Sequence, residues 1–140
     1  MSAHLFAEAD MNSVLDRFYR CNDGVVRRIE LVFCPARERS EATIECSVRD
    51  DAAGANWVNL ICRVRGVSEF AMSEGNVGHR VLSDGLAIGW FDGLMFLDFS
   101  PYTTDPDGID DFKRSGCYFA GESATWELVP YNDFSSIGGV

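Results

Sequence analysis

Leu86-Ala87-Ile88-Gly89-Trp90-Phe91-Asp92-Gly93-Leu94-Met95-Phe96-Leu97-Asp98-Phe99 sets two short apolar runs on either side of an Asp-Gly pair. Both central residues of a tight two-residue hairpin must tolerate positive φ, and Asp-Gly does so at low cost. Residues 86–91 and 94–99 are therefore predicted to form an antiparallel hairpin. A second pair, Asp84-Gly85, carries the same hairpin signal between the short apolar Val81-Leu82 and Leu86–Trp90, and Val67–Met72 places Phe70 and Met72 in phase.

Upstream, three longer runs alternate with period two. In the first, Ile29, Leu31 and Phe33 fall on one face and Arg28 and Glu30 on the other. In the second, Ala42, Ile44, Cys46 and Val48 alternate with Thr43, Glu45, Ser47 and Arg49. The third alternates Val58, Leu60, Cys62 and Val64 with Asn59, Ile61, Arg63 and Arg65. Successive side chains of a strand point to opposite faces, so such runs describe strands with one buried and one wetter face. Trp57 and Ile61 stand on the wetter side, which predicts that a helix or a second sheet covers part of it. Downstream, Gly116–Ala120 and Ala124–Val129 flank Gly121-Glu122-Ser123 and are read as a last strand pair.

Only the N-terminal part has helical spacing. Ala9, Val14, Leu15, Phe18 and Tyr19 recur at that period, Asp10 or Asn12 can cap the start, and Asn22-Asp23-Gly24 signals the stop. The expected fold is mainly β (α+β), in one domain spanning 1–140. It has a helix at about 10–21, seven to nine antiparallel strands over about 25–129, and a frayed tail at 135–140. The strands form either a curved meander or a two-sheet sandwich. Regular short strands without crossover helices exclude a parallel α/β sheet.

Composition supports a folded chain: 46% of its 140 residues are hydrophobic and 12% aromatic, against the polar bias of disordered chains. There is no apolar run long enough to cross a membrane as a helix, and Met1–Asp10 lacks the basic and apolar regions of a signal peptide. Five scattered cysteines, Cys21, Cys34, Cys46, Cys62 and Cys117, include no C-x-x-C, which points to a reducing, cytoplasmic setting. The net charge is −10, and residues 98–133 hold eight carboxylates against Lys113 and Arg114. Such a field repels nucleic acid and anionic membrane and attracts a basic protein partner.

Signals for chemistry are sparse. The only histidines, His4 and His79, have no ligand neighbours at metal-binding spacing. Asp105-Pro106-Asp107-Gly108-Ile109-Asp110-Asp111 departs from the calcium-loop template, since Ile109 takes a ligand position and the glycine comes early. It reads as a turn-rich acidic connection, with its capacity for Ca²⁺ left open. There is no G-x-S-x-G, no cysteine with a histidine partner, and Gly75-Asn76-Val77-Gly78 lacks the lysine of a phosphate loop. No catalytic residue, cofactor or metal site is assigned, and the chain is expected not to be an enzyme. Tyr102, leading into the acidic stretch, reads either as a tyrosine packing that loop onto the sheet or as a candidate contact.

Phe18 to Phe33 reads F-Y-R-C-N-D-G-V-V-R-R-I-E-L-V-F, followed by Trp57-Val58-Asn59-Leu60, Gly66-Val67-Ser68-Glu69-Phe70 and Val81-Leu82-Ser83-Asp84-Gly85-Leu86. Over about residues 18–100 this order resembles small bacterial β-proteins of the polymorphic-toxin immunity group. Asn22 stands where that group's turn has histidine, while Asp23 matches its aspartate. The resemblance implies a protein that neutralises a basic toxin by stoichiometric occlusion, with no active site of its own. Its contact candidates are then Asp98, Tyr102, Asp105, Asp107, Asp110 and Asp111. Two other classes stay open: a non-toxin interaction module that mimics nucleic-acid charge, and a small-ligand β-fold or unrecognised enzyme. An apolar edge strand could also pair two copies into a homodimer.

Overall fold

The computed structural model describes residues 3–34, 39–73, 81–103 and 105–131. His79, the Gly75–Gly78 loop and the tail 135–140 lie outside them. The elements in chain order are β1 (His4–Leu5), α1 (Met11–Arg17), β2 (Gly24–Cys34), β3 (Arg39–Asp50), β4 (Asn56–Arg65), β5 (Glu69–Ala71), β6 (Val81–Leu82), β7 (Ala87–Phe91), β8 (Leu94–Asp98), α2 (Ile109–Ser115), β9 (Tyr118–Gly121) and β10 (Ser123–Val129). They build two antiparallel sheets, one of six strands in the order β1-β10-β4-β3-β2-β6 and one of four in the order β5-β9-β8-β7. Both sheets contribute to one core, so the mainly β reading resolves to the sandwich.

The alternating runs fix the large sheet. Register stacks Ile29, Ile44, Cys62 and Trp126 in one inward row and Leu31, Ala42, Val64 and Ala124 in the next. A β-bulge between Val26 and Arg28 keeps the strand in phase, so Val26 and Ile29, three residues apart, both pack on the core. Phe33 departs from its expected face partners and is exposed, since it lies at the far end of the β2–β3 arm.

On the outer face Ile61 is buried, and its register partners on either side, Glu45 and Glu127, belong to an ion-pair ladder. Arg28 reaches Glu45 (3.5 Å), Arg63 pairs with Glu127 and Glu41, and Arg65 with Glu41 (3.9 Å). The aliphatic stems of such side chains cover apolar surface while their heads stay in water. Trp57 is half exposed, with the Arg49 guanidinium 5.4 Å from its ring centre.

Two readings of strand pairing need correction. The last apolar runs are strands, but β9 and β10 do not pair with each other: β9 joins the small sheet and β10 the large one. The chain turns the corner between sheets at Gly121-Glu122, where Glu122 N–H donates to the Arg65 carbonyl (2.9 Å). A Cβ on Gly121 would lie 2.6 Å from that same carbonyl oxygen, so the corner requires glycine. Likewise the turn at Asp84-Gly85 is no hairpin, since β6 pairs with β2 and not β7. The tenth strand, β1, was not expected. It is two residues of edge pairing in which His4 stacks on Trp126 at 4.5 Å.

α1 is shorter than the period implied. It ends at Arg17, and Tyr19, Arg20 and Cys21 follow in succession with φ of 54°, 55° and 61°. Left-handed non-glycine residues cost about 1 kcal/mol or more each, so three in a row persist only where surroundings hold them. Cys21 and Phe18 are anchored in the core, and Arg17 makes a two-point ion pair with the buried Asp50 (2.8 and 2.9 Å). The Arg17 hydrogen bonds hold the Asp50 carboxyl below its ordinary range.

Candidate functional site

The segment read as a turn-rich acidic connection contains a helix. Ile109–Ser115 forms α2, whose first turn carries Asp110 and Asp111 and whose last carries Lys113 and Arg114, each placed favourably for the helix dipole. Seven residues cannot sustain a helix alone. Phe112 supplies what is missing: it is fully buried, stacked on Phe96 at 5.0 Å and near Phe91 at 5.9 Å, on the outer side of the small sheet.

With Phe112 inserted, the start of α2 faces the β7–β8 turn. Asp107, Asp110 and Asp111 line an open cleft of about 520 Å³ together with Asp92, Phe91, Gly108 and Ile109. Asp107 N–H donates to the Asp111 carboxylate (2.9 Å), which ties the loop to the helix. No cation among the described residues pairs with Asp92, Asp107, Asp110 or Asp111, whereas the glutamates of the large sheet are matched to arginines.

The other three candidates go elsewhere. Asp105 is exposed and lines an adjoining groove of about 550 Å³ between α1 and β7, with Glu8, Met11, Leu15, Arg20 and Trp90. Phe91 belongs to both depressions. Tyr102 is 61% exposed at the opposite end of α2, where the Arg114 guanidinium sits 5.3 Å from its ring centre. Asp98 is 1% exposed and so is removed from any contact surface. It ends β8 beneath α2, accepting a hydrogen bond from Ser100 N–H (2.9 Å) and meeting the Ser115 hydroxyl.

Burial pushes the Asp98 carboxyl up to about 6, against the lowering effect of those hydrogen bonds. A carboxyl whose folded pKa is raised stabilises the fold at low pH and loses that contribution as pH rises between the unfolded and folded values. Asp98→Asn should therefore gain stability relative to the wild type as pH rises from 4 to 7, by on the order of 2–3 kcal/mol. Urea unfolding of both proteins across that range checks it, and a pH-independent difference would refute it.

The described thiols are packed away. Cys21, Cys46, Cys62 and Cys117 are buried free thiols. The Cys21 thiol, hydrogen-bonded to Cys46 and desolvated, is held well above its ordinary pKa, and burial does the same for Cys62. Protonated thiols are poor nucleophiles and poor metal ligands. Among the described residues no group of three His, Cys, Asp or Glu side chains is arranged to hold a metal ion, and no helix is long and apolar enough to cross a membrane.

Asp92, Glu8 and the apolar walls at Trp90 and Phe91 were not singled out from the sequence. Asp92 carried a turn signal that accounted for it fully, and nothing local tells that the turn faces α2. Comparison of the chain with protein-family models, curated proteins and solved structures gives no match.

Proposed function

We propose that this protein is an immunity-type binding protein that neutralises a basic toxin by stoichiometric occlusion, through the acidic surface around the start of α2. The observation that carries the reading is the segregation of charge. The large sheet pairs its own glutamates with its own arginines, while four aspartates converge at one cleft without a cation among the described residues. Converged like charges repel one another, and a cationic partner relieves that repulsion while being steered to the site. Phe91 and Ile109 in the same cleft give the partner apolar area to desolvate. The resemblance over residues 18–100 supports the same class of function.

Affinity capture with tagged protein from its native cells, at low and at high salt, tests the proposal. One basic protein recovered in stoichiometric amount at low salt and lost at high salt is the expected result. Recovery of nothing stoichiometric at either salt, or of an acidic protein, would remove the proposal's support.

A further inference from the structure

We propose that the outer face of the large sheet binds a short protein segment bearing one or two carboxylates between apolar residues, at Arg27, Arg49, Trp57 and Asn59. This goes beyond the acidic-surface reading, since the site has the opposite charge and lies across the sandwich from α2. Two neighbouring rows of β3 and β4 build it. Arg49 stands opposite Trp57 and Ser47 opposite Asn59, and these side chains face outward because Val48 and Val58 between them pack on the core. Arg49 is exposed, with its guanidinium 5.4 Å from the Trp57 ring centre, and no carboxylate among the described residues pairs with it. The nearby Asp51 accepts from the Tyr19 hydroxyl (3.1 Å) and not from Arg49.

The second row holds an unmet donor. Arg27 Nε donates to Ser47 Oγ (2.8 Å), and Ser47 Oγ donates to Asn59 Oδ1 (2.6 Å). Asn59 Nδ2 is buried and has no acceptor among the described residues. A buried amide without an acceptor costs stability and calls for a reason. Arg27 of β2 also meets Tyr131, which follows β10, so the two side chains cross over β3 and β4 and roof this row. That roof is weakly closed. The Arg27 Nη2 to Tyr131 hydroxyl distance is 3.4 Å, and Tyr131 is 43% exposed. An entering carboxylate replaces the Tyr131 hydroxyl on Arg27 with a stronger, charge-assisted contact, and its second oxygen accepts from Asn59 Nδ2. A second carboxylate meets Arg49, and Trp57, 39% exposed, offers the apolar area typical of an interface anchor. Further along the face stand Glu45 and Glu127, held by Arg28 (3.5 Å) and Arg63. That border disfavours a continuous polyanion such as nucleic acid and suits a segment whose charge is confined to one or two residues.

A short capped peptide alternating leucine and glutamate, titrated into the isotopically labelled protein, tests the site by NMR of side-chain N–H groups. The Trp57 indole and Asn59 carboxamide signals should shift together, while the amides of residues 107–111 stay unmoved. The same peptide with glutamine in place of glutamate should bind roughly tenfold more weakly. Arg49→Gln, at an exposed position that leaves the fold intact, should also weaken the glutamate peptide by roughly tenfold. No shift at Trp57 and Asn59 with millimolar peptide, or equal binding of the two peptides, would overturn the proposal. A single-stranded oligonucleotide that moves these signals where the peptide does not would overturn it too, and assign the face to nucleic acid.

Discussion

Gly85→Ala is expected to cost about 4 kcal/mol or more, a large part of the 5–15 kcal/mol that stabilises a typical domain. Two effects combine. Gly85 has φ of +72°, where an L side chain is strained. A Cβ built there would also lie 2.0 Å from the Arg20 carbonyl oxygen and 2.9 Å from the Asn22 side chain. The carbonyl cannot simply withdraw, because it accepts from Leu86 N–H and belongs to the left-handed run at Tyr19–Cys21. Gly93 is the internal control. Its φ of +76° is as left-handed, but nothing lies within 4 Å of a built Cβ, so Gly93→Ala should cost only about 1 kcal/mol. Denaturant unfolding of the two variants measures the difference. Equal losses would mean that the close approach of β7 to the turn after α1 is not what holds the two together.

Phe112→Ala should rank beside it, at about 3–5 kcal/mol. The ring is fully enclosed by Phe96, Phe91 and Tyr118 on the outer side of the small sheet, so removing it leaves a cavity as well as lost transfer energy. The effect should reach function. Without its anchor a seven-residue helix frays, and Asp110 and Asp111 leave the cleft they share with Asp92 and Asp107. Amide exchange of residues 109–115 should then become much faster than that of β4, whereas the wild type protects α2. A variant that keeps α2 protected would show that packing elsewhere positions the acidic surface.

These outcomes mark where local pattern ends and tertiary contact begins. Alternation over residues 42–65 specified the centre of the large sheet because a one-residue slip would turn every apolar side chain outward. Asp92-Gly93 specified the β7–β8 hairpin through the φ values it permits, here 53° and 76°. The same dipeptide logic misled at Asp84-Gly85, where glycine serves a close approach to the Arg20 backbone and not a hairpin. At β9–β10 two strand signals around a glycine looked like one more hairpin. What separates them is the contact of Gly121 with Arg65, some 56 residues away in sequence. α2 was hidden because Asp-Pro-Asp-Gly ahead of it is strong turn chemistry, and Phe112 is its one fully buried apolar side chain.

The candidate surface was partly legible for the same reason. Composition located the acidic stretch, and three of its members, Asp107, Asp110 and Asp111, do converge. It could not tell that Asp98, equally acidic, ends a strand beneath α2 and is buried. Nor could it bring Asp92 and Glu8, distant in sequence, to the same side of the molecule.

The most direct measurement of the central claim is the salt dependence of affinity for the captured partner, compared between the wild type and a variant with Asp107→Asn, Asp110→Asn and Asp111→Asn. Calorimetry at several ionic strengths should show the variant binding on the order of tenfold to a hundredfold more weakly at low salt, with a shallower loss as salt rises. Equal affinity and equal salt dependence, in a variant that remains folded, would contradict the assignment of the acidic cleft as the binding surface.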